Sequence, residues 1–116
     1  MGHGNKPDIT AVAAAGKVPV EIKPVYKKLY SANSLAATLR DQVAGKYLAH
    51  GDSRNGVLVV LNLEDKKWEI PGGRKDGAFA DLITYLRAEA EALAQTHPSV
   101  ERIEITGIDC IDRGTS

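Results

Sequence analysis

Val18-Pro19-Val20-Glu21-Ile22-Lys23 places a carboxylate and an amine two residues apart inside an apolar run. Side chains alternate along a β-strand, so Glu21 and Lys23 point to one face if the stretch is extended. Taking either charge out of water is unfavourable unless something compensates it. A metal ion compensates a carboxylate, and a phosphate compensates an amine. An exposed edge strand with a surface ion pair explains the same residues if nothing around them adds to the pattern.

The flanking residues do add to it. Asp8-Ile9-Thr10-Ala11-Val12-Ala13 alternates as a strand does, with Pro7 tolerated at its start. Ala14-Ala15-Gly16-Lys17 supplies a glycine for a tight reversal. Residues 8–23 therefore predict an antiparallel hairpin. A two-residue turn at Ala15-Gly16 sets Asp8 opposite Lys23, with Glu21 as its diagonal neighbour on the same face. A register shifted by one would send Asp8 to the other face.

Beyond the hairpin, Pro24 is expected to end the ladder. Val25-Tyr26-Lys27-Lys28-Leu29-Tyr30 reads as a basic, aromatic loop, suited to a phosphate backbone and exposed bases or to covering the core with Tyr26 and Tyr30. Asn33 or Ser34 can cap a helix running to about Ala49, with Leu35, Ala36, Leu39, Val43 and Tyr47 as its apolar stripe. Gln42 and Lys46 lie one turn apart at the border of that stripe, where they could reach a site beside the sheet or simply flank an amphipathic helix. Val57 to Leu63 is nearly continuously apolar, as for a central strand buried on both faces. A polar, glycine-rich connection with Trp68 follows, then a helix from Ala78 to Gln95 with Phe79, Leu82, Ile83, Leu86, Ala90 and Leu93 on one side. Arg102 to Ile108 alternates as a last strand. The expected fold is α/β, a mixed β-sheet with a β-hairpin core flanked by helices.

The chain has 116 residues, a length for one domain, with residues 1–6 flexible by composition. Its net charge is zero, but residues 1–60 carry eight Lys or Arg against four Asp or Glu, and residues 61–116 carry seven against eleven. The first half can face a polyanion while the whole stays neutral. One cysteine, Cys110, forms no internal disulfide, and no apolar run approaches a membrane span, which together suggest a cytoplasmic protein with no membrane partner. His3, His50 and His97 are scattered and fit no zinc spacing.

Pro7-Asp8, then Glu21-Ile22-Lys23 after twelve intervening residues, resembles the PD-(D/E)XK nuclease superfamily with its restriction-endonuclease-like fold. The helix carrying Gln42 is similar to the glutamine-bearing helix of RecB-like members, and the resemblance covers roughly residues 6–63. It implies that Asp8 and Glu21, with the backbone carbonyl of Ile22, bind Mg²⁺, for which Mn²⁺ can substitute. It implies Lys23 as the catalytic lysine that orients or activates the attacking water, and Gln42 as a supporting catalytic residue. Lys27, Lys28 and Lys46 become the expected contacts to nucleic acid, DNA before RNA. Members place a helix and a first strand before the aspartate, where this chain has seven residues. The N-terminal helix is thus expected to be missing, as in a fragment of a larger host protein, a minimal form, or one completed by a partner. Where relatives carry a tyrosine four residues after the glutamine, this chain has Lys46, with Tyr47 next.

Other chemistries find less support. Trp68-Glu69-Ile70-Pro71-Gly72-Gly73 resembles the opening of a Nudix box, but no Arg-Glu-x-x-Glu-Glu run follows. Gly72-Gly73-Arg74-Lys75 lacks P-loop spacing, and no Gly-x-Ser-x-Gly elbow is present. Two alternatives within the same fold remain beside a nuclease: a non-catalytic module for DNA binding or assembly, and a Holliday-junction-resolvase-like homodimer.

Overall fold

A computed structural model describes residues 9–13, 16–25, 30–48 and 54–111. They form a four-stranded sheet in the order β1 (Ile9–Ala13), β2 (Gly16–Val25), β3 (Asn55–Asn62) and β4 (Arg102–Asp109). β1 pairs antiparallel with β2, whereas β2, β3 and β4 run parallel. A helix crosses from β2 to β3: α1 (Ala32–Ala37) continues directly into a π-helical segment, Thr38–Leu48. A second helix, α2 (Phe79–Thr96), joins β3 to β4. The α/β class and its mixed sheet are therefore as the sequence predicts.

The hairpin register differs from expectation. Ala13 pairs with Gly16 and Ile9 with Val20, so the reversal falls between those residues, one position earlier than Ala15-Gly16. Gly16 is spent on the ladder instead of the turn. The expected Asp8–Lys23 opposition belongs to a register two residues away, and Asp8 itself lies outside the described residues. The shift is even, so each β2 side chain keeps its expected face relative to β1.

Pro24 does not end β2, which continues to Val25. The Val25 carbonyl accepts a hydrogen bond from the Leu63 amide (3.0 Å), so Val25 turns its backbone toward the β3 side. Backbone groups of successive residues point to opposite edges, and the Pro24 nitrogen therefore faces away from β3. The described part of β1 has already stopped there, so the missing donor breaks no ladder bond.

Both helices pack on one face of the sheet. Leu58 and Val60 of β3 and Ile103 and Ile105 of β4 join Leu35, Leu39, Val43, Leu82 and Leu86 in one core. On the other face Val57, Val59 and Leu61 are half-buried, and Ile108 is exposed. β3 is thus buried on one face, not two, because the described residues place no helix over the second. Every residue expected on the apolar side of α2 except half-buried Phe79 is buried.

The first helix is capped by Ser31 instead of Asn33 or Ser34. The Ser34 amide donates to Ser31 Oγ (3.1 Å), and the Ser31 amide donates to Ser34 Oγ (2.8 Å). Ser34 is thus the reciprocal partner of a capping box. In the π-helical segment each bond spans one more residue than in an α-helix, so the buried stripe drifts. Leu48 enters the core after Leu39 and Val43. The side chain of Tyr47, expected there, lies outside the described set.

The connection from β3 to α2 doubles back through Ile70-Pro71-Gly72-Gly73, where the Gly73 amide donates to the Ile70 carbonyl (2.9 Å). Gly72 has φ of 74°, as the third position of a type II turn requires, and Pro71 fits the second. Trp68 pairs with Gly77 across this loop and is buried.

Helix α2 lies very close to β4 at Gly107. A Cβ there would stand 2.6 Å from Ile83 Cγ1, 2.7 Å from its Cδ1 and 3.1 Å from Phe79 Cε2. Gly107→Ala should therefore destabilise the fold by about 1–3 kcal/mol through overpacking. Urea denaturation should show a lower midpoint with an unchanged slope, and adding Ile83→Val, which removes Cδ1, should recover part of the loss.

Candidate functional site

Glu21 and Lys23 lie side by side on the helix-covered face of β2. In the parallel ladder Glu21 stands beside Leu58 and Lys23 beside Val60, both fully buried. The Lys23 ammonium is 3.0 Å from Glu21 Oε2, with side-chain exposures of 16% and 3%. This is not the surface ion pair that an edge strand would carry. A carboxylate so deeply buried needs a positive partner, and Lys23 provides one.

Tyr30 is the next member of the cluster. It follows β2, lies half-buried against the core, and its ring centroid is 5.7 Å from the Lys23 ammonium. On its other side the Tyr30 carbonyl accepts a hydrogen bond from the Lys66 ammonium (2.8 Å). Lys66 in turn stands 4.1 Å from the centroid of the Trp68 ring. Burial pushes the Lys66 ammonium below the ordinary lysine value, and the nearby Glu64 carboxylate acts in the opposite direction. A continuous series of contacts thus runs from Glu21 through Lys23, Tyr30 and Lys66 to Trp68. Tyr30 and Lys66 follow the carboxyl ends of the parallel strands β2 and β3, where open α/β sheets place their ligands.

The backbone adds one acceptor. Because Val25 turns its carbonyl to the β3 side, alternation turns the Ile22 carbonyl to the opposite edge. The described β1 ladder reaches only Val20 there. The Glu21 carboxylate and the Ile22 carbonyl are both oxygen donors, the kind of ligand a hard cation takes. Among the described residues no group of three histidine, cysteine or acidic side chains converges as a ready-made metal site.

The remaining sequence-based candidates fare differently. Gln42 is half-buried on the π-helical segment, beside buried Val43, and no hydrogen bond joins it to Glu21 or Lys23 among the described residues. Lys46 belongs to the same segment, but its side chain, like Asp8, Lys27 and Lys28 as a whole, lies outside the described residues. Lys66 and Trp68 were not legible as site residues. Their one sequence signal is the spacing Lys66-Lys67-Trp68, which puts the first and third side chains on one side of an extended stretch.

Removing both members of the buried pair should cost less than the sum of removing each alone. Lys23→Met leaves the Glu21 carboxylate without that partner and should destabilise the fold by about 1–3 kcal/mol. Glu21→Gln combined with Lys23→Met should lose less than the sum of the single changes, by about 0.5–3 kcal/mol in a denaturant double-mutant cycle. Additive losses would show that the two charges do not depend on each other. No helix among the described residues is long and apolar enough to cross a membrane. Comparison with family models, with curated proteins and with solved structures gives no match, so the candidate site stands on its own geometry.

Proposed function

We propose that this chain is a metal-dependent nuclease that hydrolyses phosphodiester bonds, with DNA as its substrate, on a PD-(D/E)XK-type site. The observation that carries this reading is the buried Glu21 carboxylate with the Lys23 ammonium 3.0 Å away on one strand face. Glu21 and the Ile22 carbonyl, together with Asp8, would hold Mg²⁺. When bound, that ion supplies charge neutralisation at the phosphate and a more acidic water.

Each protein group then has a task. Glu21, already desolvated, would hold the ion through its carboxylate. Lys23 would then donate to a phosphate oxygen or orient the attacking water. Tyr30 bounds the space in which that ammonium can move. An amine placed where negative charge develops acts on rate more than on affinity. Gln42, on a helix packed over the sheet beside β2, is assigned a supporting role through its position.

Cleavage assays on linear, branched and single-stranded DNA, and on RNA, test the reading. Wild type should cut DNA in Mg²⁺ or Mn²⁺ and not in EDTA. Lys23→Ala should lower the rate by about 10²–10⁴-fold while binding changes little. Glu21→Ala should weaken metal binding as well. A wild type that binds nucleic acid independently of metal and never cuts it would instead identify a non-catalytic binding module.

A further inference from the structure

We propose that Lys66 is a second phosphate-binding residue of this site, gripping the nucleic-acid backbone beside the phosphate that Lys23 attends. The inference rests on the nuclease reading for the identity of its ligand. Its observations are separate: Lys66 comes from the loop after β3, far from the Glu21-Ile22-Lys23 motif in sequence. Contacts among the described residues place it. Its ammonium donates to the Tyr30 carbonyl at 2.8 Å, it lies 4.1 Å over the Trp68 ring, and the Tyr30 ring stands 5.7 Å from Lys23. A single residue, Tyr30, therefore spaces the two ammonium groups.

Fixing a lysine in this way is unfavourable on two counts. Its stem loses rotamer freedom, and its charge is partly desolvated against an aromatic ring. The Tyr30 carbonyl and the Trp68 ring face hold the ammonium in one orientation, and a phosphate diester gains from a cation that is already oriented. Trp68, whose ring the ammonium overlies, is itself buried. A cation that served only to tie Tyr30 to the loop would leave no mark on how binding responds to salt.

Salt dependence therefore decides the matter. Anisotropy of a fluorescein-labelled DNA duplex, with Ca²⁺ replacing Mg²⁺, gives the slope of log affinity against log salt. Lys66→Met keeps the apolar stem over Trp68, and Lys66→Arg keeps the charge. Loss of one phosphate contact should make the slope shallower by about 0.9 in Lys66→Met, with Lys66→Arg close to wild type. A Lys66→Met slope equal to wild type, even at lower affinity, would overturn the proposal and leave Lys66 as a structural tie. Trp68 is the one tryptophan in the chain, so its emission reports on Lys66 without any substitution. Duplex binding should change that emission in wild type, and an unchanged spectrum at saturation would also count against the contact. A wild type that binds duplex without cutting it would contradict the nuclease reading while the slope still tests Lys66. One that binds no nucleic acid at low salt would overturn both.

Discussion

The structure depends on how one carboxylate is kept out of water. Glu21 sits on the same sheet face as Leu58 and Val60, at a depth where aliphatic side chains are the usual occupants. A fold could fill that position with valine and gain apolar burial without any need for a partner. Glutamate there obliges the neighbouring residues to supply a cation, and they do so two positions along the same strand. Lys23 is itself bounded by Tyr30, whose carbonyl is bonded by Lys66, so the need created at Glu21 is met by an ordered series of groups. Replacing charge with charge is the exchange that a nuclease site of the proposed kind would use.

Much of this was legible in the sequence because it follows from period alone. The alternation around Glu21 and Lys23 fixes them on one face whatever the register, and that is where they lie. The stripe of Leu82, Ile83, Leu86, Ala90 and Leu93 predicts the buried side of α2, since a period near 3.6 has no other partner than a core. Features that depend on backbone detail were not legible. The glycine at position 16 points to a turn at Ala15-Gly16, yet Gly16 pairs with Ala13 in the ladder, so local turn preference did not fix the register. Pro24 looks like a terminator until the edge toward which its nitrogen points is known. Nothing in residues 38–48 announces a π-helical winding, and the winding moves Leu48 into the core at the end of the stripe.

The candidate site divides along the same line. Neighbours within one strand, such as Glu21 and Lys23, can be read from spacing. Neighbours brought together by tertiary packing cannot, which is why Lys66 and Trp68 emerge only in three dimensions. The loop that carries them reverses at Pro71-Gly72 and returns to bury Trp68, although the sequence there reads as a polar connection. Its placement puts a second lysine beside the first helix's approach to the sheet. The two lysines come from loops or strand ends that only the parallel arrangement of β2 and β3 makes adjacent.

On the proposed reading, the Glu21 carboxylate is buried in order to hold a metal ion. Anomalous diffraction from crystals of the protein soaked in Mn²⁺ tests this most directly, because the ion's position is located independently of any assay. A peak is expected within coordination distance of a Glu21 carboxylate oxygen, with the Ile22 carbonyl and Asp8 completing the protein ligands and Lys23 displaced from its 3.0 Å pairing. Mn²⁺ bound elsewhere, or absent with the Glu21–Lys23 pair intact at saturating metal, would contradict it.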